Sequence, residues 1–443
     1  MSQTFRPRPV RRLRAAAGFT LAEVMVTLAI FAIVIVAILA IFDINGRIAR
    51  VEGHVTDMQQ SLRIAQTDMV RIMRMGARGG LPAAQFEDTT AGYAGKYLPS
   101  GVALEIASNV PANTRITGDA DAPSVLEGTD ILTVRGVFST VYQANPAGAG
   151  LTLVDVNPKD GVPESGSITL SNVTPTGVPQ DLQSLADAIK DSQDGQPGAF
   201  LMANPHTDFY AVVEIEPASQ VVKAGNVITQ VTVAFTTASS TSGRADFFRK
   251  LAKEGRFPQS METVAYVGVL EEYRYYIRDS GTLNAANVTA LEPVLARARV
   301  YPGTDFPYKG DDANLEEVIA DDIFDLQVAL AVDVNNDSVI TEGTDAASRK
   351  ADEWLFNDST DDATVKATWN GTTAAPAHVY YVRVSTLART ARRDSQPQWQ
   401  AARLGRFEDK DYTQTPYDLF NSATERKFRR QSLQTVIDLR SLS

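Results

Sequence analysis

The sequence predicts an α+β protein, in which one long N-terminal helix packs on a β-rich, antiparallel globular domain with large inserted loops. Three observations predict it. Residues 24–42 form a 19-residue run whose only polar side chain is Thr27. An apolar heptad continues from that run, and short stretches rich in β-branched and aromatic residues follow from residue 131 onward, separated by turn clusters. At 443 residues and 44% hydrophobic content the chain can bury a sizeable core and has room for roughly two or three domains. The absence of cysteine excludes disulfides, thiolate-held zinc, iron–sulfur clusters and a cysteine nucleophile. A net charge of −11 suits nucleic acid poorly, because phosphate neutralisation needs clustered Lys and Arg, so no nucleic-acid partner is expected.

The N-terminus departs from this average. Residues 1–18 carry five arginines (Arg6, Arg8, Arg11, Arg12 and Arg14) and no acid; taking this +5 from a chain of −11 leaves −16 for the remainder. As a helix, 24–42 covers about 28 Å at 1.5 Å per residue, close to the ~30 Å hydrocarbon core of a bilayer. That predicts a membrane span, with the basic flank in the cytoplasm and the acidic bulk outside. In an ordinary secretory signal the small residues follow the apolar run, whereas here Ala15, Ala16, Ala17 and Gly18 precede it. Cleavage there leaves the span attached. Glu23 lies within the apolar segment, where an ionised carboxylate is costly enough to need a partner. Two readings stand: it snorkels to the headgroups, or it pairs with the α-amino group that cleavage between Gly18 and Phe19 would create on a neighbouring subunit.

Gly18 followed by Phe19-Thr20-Leu21-Ala22-Glu23 and an apolar stretch resembles the class III signal of type IV pilins and type II secretion pseudopilins. The resemblance implies that a membrane aspartyl peptidase, the prepilin peptidase, removes residues 1–18 after Gly18 and methylates Phe19. It also implies that Glu23 contacts the N-terminal amine of an adjacent subunit. One position departs from the pattern: Ala40 stands where many major pilins have a helix-kinking proline.

Beyond the span (19–42) the helix is expected to continue through 43–78. Ile44, Ile48, Val51, Val55, Met58, Leu62, Ala65, Met69 and Ile72 alternate in steps of four and three, with polar residues such as Asp57, Arg63, Asp68 and Arg71 between them. From Phe19 to about Met75 this gives 57 residues, or about 85 Å. The C-terminal half of the stripe is expected to pack on the chain's own domain. Gly46 and Gly53 are weak helix points, and Gly76, Gly79, Gly80 and Pro82 end the helix.

The remainder, 79–443, reads as a β-rich domain. Strands are predicted at 131–137, 210–215, 227–235, 264–277, 326–332, 379–387 and 435–439. An insertion or small subdomain is expected at about 145–200, dense in Gly, Pro, Asn and Asp around one helical stretch near 182–189. Four segments resemble PilW-type minor pilins: Gly128-Thr129-Asp130-Ile131-Leu132-Thr133-Val134-Arg135, Tyr275-Tyr276-Ile277-Arg278, Ile323-Phe324-Asp325-Leu326-Gln327-Val328 leading into Asp333-Val334-Asn335-Asn336-Asp337, and Val382-Arg383-Val384-Ser385-Thr386-Leu387-Ala388-Arg389. So does the end, with Arg429-Arg430 before Thr435-Val436-Ile437-Asp438-Leu439-Arg440. That resemblance implies a low-abundance minor pilin of a type IV pilus, in the complex that primes assembly or at the tip, with an adhesive surface as a further role. Its partners would be other major and minor pilins, the prepilin peptidase and the inner-membrane assembly platform. The chain would sit in the bacterial inner membrane with its C-terminal domain periplasmic, then in the pilus at the cell surface. A minor pseudopilin of a type II secretion system, and a membrane-anchored periplasmic hydrolase or binding protein, remain as alternatives.

Little in the sequence points to catalysis. His54, His206 and His378 fall in no ligand spacing, and there is no G-x-S-x-G elbow, Walker A loop or strand-linked G-x-G-x-x-G. The expectation is a non-enzymatic protein with no catalytic residue and no required cofactor. The one ligand candidate is Asp333-x-Asn335-x-Asp337 with the carbonyl of Val339, which is like the start of an EF-hand calcium loop. Ser338 replaces the usual glycine and Thr344 the closing Glu, so Glu342 or Asp345 would have to close the site. The alternative is an Asx-rich hairpin turn whose side chains bond their own backbone.

Overall fold

A computed structural model describes residues 20–76, 103–111, 113–116, 124–144, 151–153, 165–174, 176–204, 209–239, 248, 264–279, 293–308, 316–333, 337–344, 346–349, 352–357, 378–392, 406–412 and 428–439. Gly18, Phe19, His206 and Asn335 lie outside the described residues.

Helix α1 (Leu21–Gly76, 56 residues) runs unbroken through Ala40, Gly46 and Gly53. A side chain added at either glycine would meet nothing within 4 Å, so they lower helix propensity without serving any close packing. Gly76, the last residue of α1, is where space matters. A Cβ there would lie 2.9 Å from Val134 Cγ1, and one on Gly136 would collide with the Gly76 carbonyl. The chain divides into two compact units, Met1–Val55 and Thr56–Ser443, and α1 continues across the boundary.

In the second unit the strands are antiparallel throughout and build three main sheets. A five-stranded sheet runs in the order Leu104–Ala107, Ile131–Gly136, Glu271–Asp279, Pro293–Val300, Glu316–Asp321. A four-stranded sheet follows at once in the chain: Asp322, in the left-handed region at φ 59°, turns Glu316–Asp321 into Ile323–Asp333, which pairs with Trp354–Leu355 and His378–Arg389. Arg430–Asp438 closes that sheet, five residues earlier than the run 435–439 suggested.

The third sheet has eight strands. Its path is Tyr142–Gln143, Tyr266–Val269, Ala199–Asn204, Phe209–Ile215, Val227–Thr236, Ser165–Ser171, Leu151–Leu153, with Gln220–Ala224 added beside Val227–Thr236. Within 145–200, Leu151–Leu153, Ser165–Ser171 and Ala199–Asn204 pair with strands that continue to Val269. Helix α2 (Gln183–Gln193) buries Leu185, Ala186, Ala188, Ile189 and Ser192, one stripe at helical spacing, in the same core as Phe200, Met202, Val213 and Val231. Leu201, Ala203 and Val212, which alternate with these along their strands, pack into a second core with Val137 and Phe248. Burial on both faces explains why these strands read as continuous apolar runs instead of alternating ones.

One predicted strand is two. The run 264–277 breaks at Leu270, giving Tyr266–Val269 in the eight-stranded sheet and Glu271–Asp279 in the five-stranded one. Tyr266–Val269 is apolar and aromatic, while Glu271–Asp279 mixes charged residues with tyrosines and Ile277; residues that favour extended chain run through both, so the change of sheet is not marked by a turn cluster.

Candidate functional site

The start of α1 is organised around Glu23. The Thr20 carbonyl accepts the first helical bond from Val24 N at 3.2 Å, which makes Thr20 the N-cap. Glu23 Oε2 accepts from Thr20 N at 2.9 Å and from Thr20 Oγ1 at 3.0 Å, while Glu23 N donates to Thr20 Oγ1 at 3.3 Å. Thr20-Leu21-Ala22-Glu23 is therefore a capping box. The T-x-x-E spacing was visible in the sequence, yet its lipid setting drew attention to the carboxylate's charge instead of its bond to the backbone. Thr27 Oγ1 donates back to the Glu23 carbonyl at 2.7 Å, so the one hydroxyl inside the span is satisfied within the helix.

From Leu21 to Phe42 the side chains point into open space. Leu21, Met25, Phe31, Ile33, Val36, Leu39 and Phe42 are each more than half exposed, and an 18-residue window of mean hydropathy 3.2 is 0% buried. An apolar surface of this extent is stable only in lipid or against other apolar helices. Charge returns immediately past Phe42, with Asp43 and Arg47 paired at 2.8 Å and Arg50 Nε donating to the Gly46 carbonyl at 3.1 Å. Ile44 and Ile48, at the start of the expected stripe, are also exposed.

The last part of α1 lies in the second unit and has a packed seat there. Met58, Leu62, Ala65, Gln66, Met69, Ile72, Met73 and Gly76 are buried, a stripe wider than the two-per-heptad seam read from the sequence. Gln66 enters that stripe as an amide. Its Nε2 lies 2.9 Å from Thr386 Oγ1 and 3.2 Å from the carbonyls of Val384 and Leu433, two neighbouring strands of the four-stranded sheet. Asp68, one of the polar residues between the stripe positions, is mostly buried. Its Oδ2 accepts from Tyr275 Oη at 2.7 Å and from Arg297 Nη1 at 3.0 Å, both in the five-stranded sheet, while Oδ1 pairs with Arg71 at 2.8 Å. Burial, and then the hydrogen bond to Asp68, raise the Tyr275 hydroxyl above the ordinary phenol range. One helical turn thus ties two sheets together.

Known families match at both ends of this arrangement. Residues 13–39 match the prokaryotic N-terminal methylation motif, and residues 274–441 match the family described as Type IV Pilus-assembly protein W. Over these two stretches the chain is similar to type IV pilin-like, PilW-type proteins. Searches of curated proteins and of solved structures each found no match. The two family matches give the PilW-type chain a role in type IV pilus assembly, and the family is an assembly component and not a known enzyme family. A prepilin motif with an apolar helix behind it anchors the chain in a membrane, and implies prepilin peptidase processing and pilin partners. The PilW match covers Tyr275, Arg297, Val384, Thr386 and Leu433, every domain group just named as a partner of Gln66 and Asp68. It leaves out the whole of the eight-stranded sheet, whose last strand ends at Val269.

The PilW-like segments also meet in space. Lys410 Nζ and Gln327 Nε2 both donate to the Gly128 carbonyl, at 2.9 and 3.1 Å, and Asp130 Oδ2 accepts from Val328 N at 2.7 Å. Asp130, Asp325 and Asp409 are buried close together with Lys410 as their cation, 3.3 Å from Asp325 Oδ2. Burial raises all three carboxyls, Asp409 to about 7, and Asp130 is raised further by the charge of Asp409. Nothing local in the sequence flagged this cluster, since its members lie up to 279 positions apart by number, from Asp130 to Asp409.

The calcium candidate has a different geometry. Asp333 is fully buried; its two oxygens accept from the backbone N–H of Asp337 at 3.2 Å and of Ser338 at 2.8 Å, and Asp337 Oδ1 accepts from Val339 N at 2.8 Å. Ser338 takes the left-handed conformation at φ 64°. These are the bonds of an Asx-rich turn. Glu342 is engaged by Arg383 at 2.7 Å, and Asn335 and Asp345 lie outside the described residues. Among the described residues no group of three or more His, Asp or Glu side chains could hold a metal ion.

Proposed function

We propose that this chain is a minor pilin of a type IV pilus, incorporated in the assembly-priming or tip complex, where it promotes pilus biogenesis and presents its eight-stranded sheet as an adhesive surface. The observation that carries the reading is the join described above: a capped, fully exposed apolar helix behind a prepilin motif, whose other end is bonded into the residues of the PilW match. In this reading the prepilin peptidase cuts between Gly18 and Phe19 and methylates Phe19. Glu23 then receives the amine of a neighbouring pilin, with Thr20 fixing the direction of its carboxylate. The domain is periplasmic until the helix leaves the inner membrane through the assembly platform. In this reading the role needs no resident cofactor, and the backbone N–H bonds accepted by Asp333 and Asp337 support an Asx-rich turn at the calcium candidate. The PilW match favours the pilus over a type II secretion pseudopilin.

Co-expression with prepilin peptidase and intact-mass measurement tests this. The native chain is expected to lose 18 residues and gain one methyl group, and Gly18→Ala is expected to block both. An uncleaved native chain overturns the assignment. Because Glu23 also caps the helix, Glu23→Gln is a cleaner variant than Glu23→Ala: it keeps an acceptor for Thr20 and removes the charge. Glu23→Gln should be cleaved yet fail to enter filaments, and unchanged incorporation would contradict the amine pairing.

A further inference from the structure

A cleft of about 380 Å³ opens between α2 and the end of the strand Pro293–Val300, a volume in the range of small-ligand sites. It belongs neither to the helix seat nor to the buried acid cluster. One wall is Arg299. Its guanidinium carbon lies 3.7 Å from the centre of the Tyr308 ring, and its Nη2 is 2.6 Å from Glu271 Oε1. The protein therefore already holds one cation here between a carboxylate and an aromatic ring, two groups that bind guanidinium and ammonium ions well once partly desolvated. Glu271 is fully used, since its second oxygen accepts from the N–H groups of Phe138 and Ser139 at 3.1 and 2.9 Å.

The opposite wall is not used in this way. Asp187 and Asp191 stand four residues apart on α2, on one face, and Asp181 precedes the helix. Each is engaged by a neutral donor: Asp181 by Gln183 N at 3.0 Å, Asp187 by Gln183 Nε2 at 2.7 Å, and Asp191 by Tyr308 Oη at 3.3 Å. Four carboxylates thus line the cleft against a single guanidinium. Asp191 registers the imbalance. Burial pushes its carboxyl up, and the charges of Asp187 and Asp194 add to this, outweighing the Tyr308 hydrogen bond and the charge of Arg299, which act the other way.

We propose that this cleft binds an alkylammonium or guanidinium group beside the Tyr308 ring, with Asp187 and Asp191 as its counter-charges. A metal ion fits less well, because no three carboxylates among the described residues converge on one point. The cation could be carried by a free amine or by a Lys or Arg side chain of a partner protein, and two probes separate these sources. Full-length protein in detergent would be titrated calorimetrically with agmatine and with the blocked peptide acetyl-Gly-Arg-Gly-amide, using acetyl-Gly-Glu-Gly-amide as the control.

Saturable binding of at least one cationic probe is expected, with none for the glutamate peptide. The double variant Asp187→Asn plus Asp191→Asn should weaken it by about tenfold or more, with an unchanged melting temperature. Asp194→Asn, on the same helix but outside the cleft lining, should leave it unchanged. Preference for agmatine identifies a free amine, and preference for the peptide identifies a protein side chain. Absence of saturable binding by both cationic probes, or binding that the double variant leaves intact, overturns the proposal.

Discussion

The two parts of α1 differ in sequence pattern and in what they touch. From Leu21 to Phe42 the apolar side chains are exposed on every side of the helix. From Met58 to Gly76 the spaced Met, Leu and Ile side chains are buried in one stripe, and two polar side chains, Gln66 and Asp68, are locked to two sheets. A helix apolar all round needs a solvent or partners outside the chain, while a helix apolar on one side has its partner within it. The contrast separates the part of the chain that must enter an assembly from the part that holds the domain to it.

Core truncation should break the comparison most sharply. Met69 is fully buried, and Met69→Ala is expected to cost about 2–5 kcal/mol in denaturant unfolding of the detergent-solubilised chain. Ile33 is 70% exposed, and Ile33→Ala should fall within about 0.5 kcal/mol of wild type. Equal effects would mean that the two parts share one kind of environment.

The polar contacts give a smaller contrast of the same sign. Asp68→Ala strands the Tyr275 hydroxyl and the Arg297 guanidinium and is expected to cost about 1–3 kcal/mol. The exposed Asp43–Arg47 pair is worth less than about 0.5 kcal/mol, so Asp43→Ala should be near neutral. A pH effect should be confined to the second unit. The carboxyls of Asp130, Asp325 and Asp409 are raised in the folded state, so their contribution is full below the unfolded value of ~3.9 and is lost as pH rises toward about 7 for Asp409. The melting temperature should therefore fall by a few degrees between pH 5 and pH 8. Asp409→Asn should flatten that slope, and a rise in melting temperature over the window would refute the sign. Most local is Thr20→Val, expected to loosen only the first turn, by about 1 kcal/mol. Faster hydrogen exchange at residues 21–24, with residues 58–76 unchanged, would sharpen the division.

Much of the helix was legible from residue order. A span needs only enough consecutive apolar residues, and a capping box needs only Thr and Glu three apart, so Thr20, Glu23 and the run 24–42 could be read locally. Most strands were legible too, because Val, Ile, Tyr and Thr cluster wherever the chain is extended. The change of sheet at Leu270 was not, since residues that favour extended chain run through both strands, although Glu271–Asp279 is the more charged. Gln66 and Asp68 were equally hidden: one polar residue beside an apolar seam looks solvated until its acceptors are known. Asp333, by contrast, offered two meanings from one spacing, and the backbone N–H bonds that its oxygens accept are those of an Asx-rich turn.

What the sequence determined by itself is the capped apolar helix, the basic flank before it and the antiparallel, β-rich character of the rest. Each depends on neighbours within a few residues or on summed hydrophobicity. The tertiary structure alone decided which sheets receive Gln66 and Asp68, which carboxylates share a buried site, and that α2 faces Arg299 across a cleft. Those contacts join residues hundreds of positions apart, and their energies come from burial and from bond direction, which no local pattern encodes.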